Sequence, residues 1–256
     1  MKLSFTTEQV KESFSNVNEL NGFISMLETG VKNSMTVKLD GLIMRTINNM
    51  TGQILNSANG LQKVNLLTEY NTASGQTLTA NKALMDKDFL KFASLTIKKY
   101  QARITKMSTL FNAGGKARFT TTDNLHTVLL SDFADSAEVY LLSDTYHNDT
   151  VSLPNHETVP YWQGSGKSYA FNDISKIDVK IDAGNKTAKQ VTQTGILGVM
   201  FDTNALGVSN LNQRTTTSYN ARAEFYTNYY KMDAGYFNDL NENFVVFYIA
   251  DTTPAK

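Results

Sequence analysis

Residues 18–55 read NELNGFISMLETGVKNSMTVKLDGLIMRTINNMTGQIL, and this stretch decides the fold. Apart from neighbouring pairs, its apolar residues recur every three or four positions: Leu20, Phe23, Ile24, Leu27, Val31, Met35, Leu39, Leu42, Ile43, Ile47, Met50 and Ile54. This spacing predicts one amphipathic helix, roughly 55 Å long at about 1.5 Å per residue. Gly22, Gly30 and Gly41 weaken such a helix, so a break near Gly30 is the alternative. A helix of this length is unusual in a compact enzyme and favours an elongated protein.

The composition of the whole chain limits the partners and sites it can have. The 256 residues include 24 Lys and Arg against 24 Asp and Glu, so the formal net charge is zero. This balance excludes a strongly basic nucleic-acid clamp and an acidic disordered tail. Because the chain has no Cys, disulfides, zinc–thiolate sites, iron–sulfur clusters and Cys nucleophiles are excluded as well.

We expect a surface that is polar but weakly charged. Charged residues make up only 19% of the chain, which also contains 25 Asn and 30 Thr. Neutral amides and hydroxyls hydrogen-bond across a protein–protein contact without the desolvation cost of a buried ion, so this composition suits contact between copies. No apolar run has the length of a signal peptide or of a membrane span, which predicts a soluble protein made in the cytoplasm.

Outside the long helix, shorter patterns predict an α+β chain with its helices first and its strands last. Predicted helices cover residues 7–14, 81–107 and 131–142, and predicted strands cover 126–130, 174–181, 196–201, parts of 215–232, and 244–249. Turn-rich composition predicts a loop or a small excursion at 56–80, a loop at 143–170, a turn at 233–243 and a domain boundary at 112–115.

Two sets of residues resemble functional sites at first sight. Gly164–Ser168 reads GSGKS, but a phosphate-binding loop needs Gly where Tyr161 stands, so a surface turn is the better interpretation. The histidines are His126, His147 and His156, and none has metal-ligand spacing to another. His147 with Asp144 and Asp149 is the weak alternative of a metal site in a loop.

The remaining charged clusters have ordinary structural explanations. The pairs Asp132/Asp135 and Asp239/Glu242 are placed like cap and turn residues. Lys98, Lys99, Arg103 and Lys106 share one predicted helix with Tyr100, where a solvated face, a subunit contact or a nucleic-acid contact is possible. We therefore predict no catalytic, cofactor-binding or metal-binding residue.

The C-terminal third contains the most recognisable sequence. Three segments, Thr194–Val208 (TGILGVMFDTNALGV), Asn212–Ala221 (NQRTTTSYNA) and Glu224–Asp239 (EFYTNYYKMDAGYFND), resemble in this order the major capsid proteins of tailed phages. The phages concerned mostly infect Gram-positive bacteria. Residues 31–55, with LDGL at 39–42 and RTINNM at 45–50, resemble the long helix of the same family. The ordered set of segments is what makes the resemblance specific.

The resemblance implies the Hong Kong 97-like capsid fold, which encapsulins share. This α+β fold has a peripheral domain, in which a long spine helix lies over an antiparallel sheet, and a mixed α/β axial domain that meets others at vertices. By resemblance the peripheral domain is residues 1–107, the axial domain is 108–213, and residues 214–256 are strands that return to the peripheral domain. In that family an N-terminal arm and an extended loop precede the spine helix, and we expect both to be missing here.

The resemblance also implies a structural function. The expected protein is a major capsid protein that self-assembles into the icosahedral or prolate shell around a phage genome. Its expected partners are its own copies in pentamers and hexamers, a scaffolding protein and a portal, with DNA enclosed without sequence-specific binding. Its expected location is the virion capsid, assembled in the host bacterial cytoplasm, with no membrane and no cofactor. The alternatives are an encapsulin-type compartment shell and a hydrolase or nucleotide-binding enzyme.

Overall fold

The computed structural model describes residues 2–6, 17–57, 60–142, 153–162, 171–181 and 188–251. The helices are α1 (Val17–Asn56), α2 (Leu66–Ser74), α3 (Ala80–Ala83), α4 (Lys87–Ile104), α5 (Ser131–Leu142) and α6 (Phe171–Ile174). The strands are β1 (Lys2–Thr6), β2 (Lys63–Asn65), β3 (Leu125–Leu130), β4 (Glu157–Val159), β5 (Ile177–Ile181), β6 (Lys189–Gln193), β7 (Ile196–Asp202), β8 (Leu206–Asn220), β9 (Phe225–Asn238) and β10 (Phe244–Tyr248). The helix predicted at 7–14 lies outside the described residues.

The long helix α1 is continuous over its 40 residues and has no break at Gly30. Thr hydroxyls in α1 find acceptors inside the helix, because they donate to the carbonyl four residues earlier, as from Thr29 to Ser25 at 2.8 Å and from Thr51 to Ile47 at 2.9 Å. Helix propagation is cooperative, so isolated glycines weaken it without ending it. The prediction of a single helix is confirmed, whereas Ile24 and Ile43 of its apolar stripe are exposed.

A five-stranded mixed sheet forms the centre of the larger part of the chain. The strand order is β2-β10-β7-β3-β4, parallel at the two outer pairs and antiparallel at the two inner pairs. Val199 of β7 pairs with Val246 of β10 on one side and with Val128 of β3 on the other. The apolar runs that predicted β3, β7 and β10 are therefore the three inner strands, which explains why they carry so few polar residues.

Both faces of this sheet are buried in hydrophobic clusters. Along β10, Val245 and Phe247 point into the first cluster, and Phe244 and Val246 into the second. The first cluster is covered by α2, α4 and α5, with the largest side chains Phe89, Phe133, Leu66, Leu67, Leu90, Ile97 and Ile104. The second is covered by the C-terminal part of α1, through Ile47, Met50 and Ile54, and by Trp162.

Gly198 occupies the position of closest approach between β7 and β3. A Cβ at this residue would meet the Leu129 side chain and, at 2.8 Å, the Val128 carbonyl oxygen. The central strand therefore requires a glycine at this point, because a neighbouring backbone atom cannot move aside as a flexible side chain can.

Two smaller sheets complete the structure. In the three-stranded sheet β1-β9-β8, β1 pairs antiparallel with β9, from Lys2 opposite Tyr229 to Thr6 opposite Phe225. β8 forms the other edge of this sheet. The strands β5 and β6 form a separate antiparallel hairpin.

Contacts divide the chain into two compact units. Unit 1 comprises Met1–Ile43 and Val208–Phe237, and unit 2 comprises Met44–Gly207 and Asn238–Lys256. Unit 2 contains the five-stranded sheet and both hydrophobic clusters. The predicted α+β class is confirmed, whereas the residue ranges expected for the peripheral and axial domains stay a prediction.

Some local predictions were wrong. Residues 56–80, predicted as a loop or a small excursion, contain β2 and α2, and β6 was not predicted at all. The helix predicted over 81–107 is divided, because α3 ends at Ala83 and Asp86 caps a new helix by accepting a hydrogen bond from the Phe89 amide at 2.7 Å. The turn predicted at 233–243 begins later, because β9 continues to Asn238.

Candidate assembly surface

The histidines that the structure describes have structural surroundings. The His126 ring stacks on Phe201 with the centroids 5.9 Å apart, and His156 Nδ1 lies 2.7 Å from the Pro154 carbonyl oxygen. His147, Asp144, Asp149 and the Gly164–Ser168 motif lie outside the described residues. Within the described ranges, no group of three or more His, Asp or Glu residues is placed to hold a metal ion.

Asp239 and Glu242 lie in the turn between β9 and β10, and Asp132 and Asp135 lie within α5. Asp239 accepts hydrogen bonds from the Asn241 amide and from Asn241 Nδ2, both at 2.8 Å, and these bonds hold the pKa of Asp239 below its usual value. Glu242 pairs with Arg118 at 3.0 Å. Asp132 and Asp135 lie on the exposed side of α5, and desolvation together with the Asp135 charge raises the pKa of Asp132.

A shallow hollow of about 420 Å³ lies at Gly75–Thr79 and Lys82. Its lining contains neither His nor a carboxylate, and the one charged side chain in it is that of Lys82. Among the helices that the structure describes, none is long and apolar enough to span a bilayer.

Unit 1 has almost no buried interior of its own. Among its residues whose exposure is described, only Val31 and Thr227 are buried. Neither hydrophobic cluster includes a described residue of unit 1. Yet ten of the nineteen exposed large apolar residues in the described chain belong to this smaller unit: Ile24, Met26, Val37, Ile43, Leu211, Tyr219, Tyr226, Tyr229, Tyr236 and Phe237. Such a concentration marks a surface for contact with another protein.

Strand β8 is the clearest part of this surface. Every residue from Ser209 to Asn220 is exposed, on both faces of the strand. An edge strand presents unpaired N–H and C=O groups, which proteins usually protect with Lys, Pro or a bulge. Within this stretch the only charged residue is Arg214, and its guanidinium pairs with Asp233 at 2.8 Å. A long edge with so little protection is suited to being covered in an assembly.

Side-chain contacts between the two strands stabilise the tip of the β8–β9 hairpin without a buried core. The Tyr219 and Tyr226 rings lie 4.7 Å apart, and Thr217 Oγ1 donates to Asn228 Oδ1 at 2.7 Å. Cross-strand pairs of this kind keep the hairpin formed while its faces remain open. We define the assembly surface as the exposed residues of β8 and β9 together with those of α1 up to Ile43.

Sequence reasoning expected weakly charged contact surfaces but named no residue for them. The pattern that could have pointed to β8 is its run of Asn, Gln, Thr and Ser, in which only Leu211 and Tyr219 are large apolar residues after Val208. Such a strand has no apolar face to bury in its own chain. Exposure on both faces is nevertheless a tertiary property, and no local pattern establishes it.

Comparisons with known proteins show the family to which the chain belongs. The family model of the Phi29-like phage major capsid proteins matches residues 1–248. No curated protein matches the chain. A chain in the capsid structure of Staphylococcus phage Andhra is similar with a TM-score of 0.61 at 11% identity, covering 98% of this chain and 69% of that one.

Two further solved structures share the fold. A chain in the structure of the head fiber and inner core protein gp22 of native bacteriophage P68 has a TM-score of 0.56 at 9% identity, covering 97% of this chain and 69% of that one. A chain in the capsid structure of the cyanophage P-SCSP1u has a TM-score of 0.51 at 12% identity, covering 98% and 72%. Since the family match spans nearly the whole sequence, the chain belongs to the Phi29-like phage major capsid protein family, and its role is structural, in a self-assembled capsid shell.

Proposed function

We propose that copies of the chain associate through the assembly surface into a closed shell of pentamers and hexamers around a phage genome. The observation that carries this proposal is that unit 1 lacks a buried core among its described residues while exposing β8 on both faces. A folded unit with so little buried apolar area gains stability when a neighbouring copy covers it.

The contacts of such a shell need not be individually strong. Many weak contacts per copy add up because each one raises the effective concentration of the next, so a few kcal/mol per contact is enough. The polar side chains of β8 suit this requirement, because neutral groups exchange water for protein partners at low net cost. Contacts of this strength also let a wrongly placed copy leave.

The proposal extends to partners and location by family likeness. A scaffolding protein and a portal would complete the shell, and assembly would take place in the host bacterial cytoplasm before the virion is released. The zero formal net charge is compatible with a shell that encloses DNA without gripping it. The phage family supports this function over the encapsulin-type shell and over the enzyme alternative.

The experiment is a mass measurement on the full chain, by light scattering on a sizing column with negative-stain images of each peak. We expect assemblies much larger than 28.5 kDa. Leu211→Asp combined with Tyr236→Asp, which places two charges on the assembly surface, should shift the mass toward the monomer. The matched control is Met85→Asp, because Met85 is equally exposed but lies in unit 2.

The parent chain remaining a monomer at all concentrations would contradict the proposal. So would unchanged assembly of the double variant, once circular dichroism shows that it is folded. Loss of assembly in the Met85→Asp control would show that any added charge disrupts the shell, and the proposed location of the contact would then be wrong.

A further inference from the structure

The outer face of α4 is basic. Lys98, Lys99 and Arg103 are exposed and fall within about 140° of the helix circumference, and the exposed Lys106 follows just after the helix ends. Leu95, which is 46% exposed, lies in the same arc. We call these five residues the basic face. The opposite side of the helix is anchored in the first cluster through Phe89 and Ile97, so the basic face is held firmly.

The outer face of α5 is acidic. Asp132, Asp135 and Glu138 are exposed at intervals of three, within about 120° of the helix circumference. Val139, 64% exposed, lies among them. We call these four residues the acidic face. Within the described part of the chain, none of the three carboxylates forms an ion pair.

The basic face and the acidic face are complementary in charge, and both belong to helices that pack into the first cluster. Each has exposed apolar area surrounded by charges, four positive on one and three negative on the other. Protein interfaces have this anatomy, in which an apolar centre supplies affinity and a complementary charged rim supplies orientation. Both helices pack against each other and into the first cluster of unit 2, so their spacing is fixed.

We infer that in the shell the basic face of one copy docks on the acidic face of the next copy. The inference rests on the proposed function, since it names a second contact of the same assembly. In this contact each copy gives its basic face to one neighbour and its acidic face to another, which is a head-to-tail arrangement, and successive copies joined in this way close into a ring or continue into a lattice.

A second copy fits these faces better than nucleic acid does. Phosphates would neutralise the cations of the basic face but would leave Leu95 unburied, and they would repel the acidic face beside it. Every copy carries both faces, so each always meets a complement within the shell. The mutual repulsion of Asp132 and Asp135 is also relieved when the cations of a neighbour approach.

The test is a charge swap in the full chain. The first variant reverses the basic face through Lys98→Glu, Lys99→Glu and Arg103→Glu, and the second reverses the acidic face through Asp132→Lys, Asp135→Lys and Glu138→Lys. Each alone should raise the concentration needed for assembly by about tenfold, because three attractive pairs become repulsive. A chain that carries all six changes should assemble at the concentration of the parent.

Mixing the two single variants gives a sharper readout. One variant then has two acidic faces and the other two basic faces, so copies can only alternate. Alternating rings need an even number of copies, which permits hexamers and forbids pentamers. We therefore expect negative-stain images of the mixture to show open sheets or tubes instead of closed shells.

Two controls keep the test independent of folding and of the first proposal. Lys82→Glu with Lys180→Glu reverses two exposed charges outside both faces and should leave assembly unchanged. Added salt should raise the assembly threshold of the parent and lower that of either single charge-reversed variant, because it screens attraction in the parent and repulsion in the variants.

Three results would overturn the inference. One is parent-like assembly of either folded single variant, and another is failure of the folded sixfold variant to recover. The third is a basic-face reversal that changes only the nucleic-acid content of otherwise normal particles, which would assign that face to DNA. A parent chain that never assembles would instead contradict the proposed function.

Discussion

Asp239 illustrates how a single side chain sets the shape of a turn between strands. Its carboxylate accepts two hydrogen bonds from Asn241, while its own amide donates to the Ala205 carbonyl at 2.7 Å. The next residue, Leu240, accepts a hydrogen bond from the Gly114 amide at 3.1 Å. The turn therefore joins three separate segments of unit 2, and the charge on Asp239 stabilises it.

The pKa of Asp239 predicts a particular pH dependence. Because the pKa is lower in the folded chain than in the unfolded chain, the stabilisation is fully present above the unfolded value of about 3.9. It is lost as the pH falls through the lower folded value. Asp239→Asn should thus lower Tm at pH 7, and the difference from the parent should shrink as the pH falls from 5 toward 3. A difference independent of pH would contradict this account, and Asp123→Asn is the control.

At the scale of elements, the unbroken helix α1 can be tested at one residue. Gly30 is exposed, and a Cβ there would have no heavy atom within 4 Å. Gly30→Ala should therefore stabilise the helix by about 0.5–1 kcal/mol, whereas Gly30→Pro should cost about 3 kcal/mol by removing a hydrogen bond and crowding the preceding turn. Circular dichroism at 222 nm on melting measures both. Equal effects of Ala and Pro would mean that α1 is not helical at this residue.

The elements that the sequence predicted well are those whose burial pattern is local. The stripe of α1 repeats at the helical period, and β3 and β10 are short continuous apolar runs rich in β-branched and aromatic residues, so they could be found without the rest of the chain. α2 was missed because Asn71, Thr72 and Ser74 suggest a loop. It forms because Leu66, Leu67 and Tyr70 are buried in the first cluster, and Asn65 caps its first turn.

The full length of β9 and the contact between the basic and acidic faces could not be predicted from the sequence, for the same reason. Gly235 suggests a turn, yet it lies inside β9, where a Cβ would come within 3.0 Å of Ser209 Oγ on β8. Pairing between strands overrides local turn propensity there. Likewise, the cations of the basic face stood out in the sequence, but Asp132 and Asp135 were interpreted as cap residues. Their relation to α4 appears only once both helices are placed in unit 2.

At the scale of the whole molecule, assembly should selectively change how well the amides of unit 1 are protected from hydrogen exchange. In the unassembled chain, amides of β7 and β10 are buried and paired on both sides, so they should exchange with deuterium slowly. Amides along the exposed edge of β8 should exchange rapidly and become protected in assembled particles. Peptide-level hydrogen exchange on both forms measures this, and unchanged exchange in β8 would place the contact elsewhere.

The position of β10 in the central sheet has a consequence for the timing of folding. β10 lies between β2 and β7, although residues 63–65 and 244–248 are far apart along the chain. A sheet that depends on such distant pairing folds slowly, since a long loop must close before the strands can bind. On the ribosome, unit 2 cannot complete its core until residue 248 has left the exit tunnel. Until synthesis of β10 is finished, a growing chain therefore lacks the complete sheet against which α4 and α5 pack.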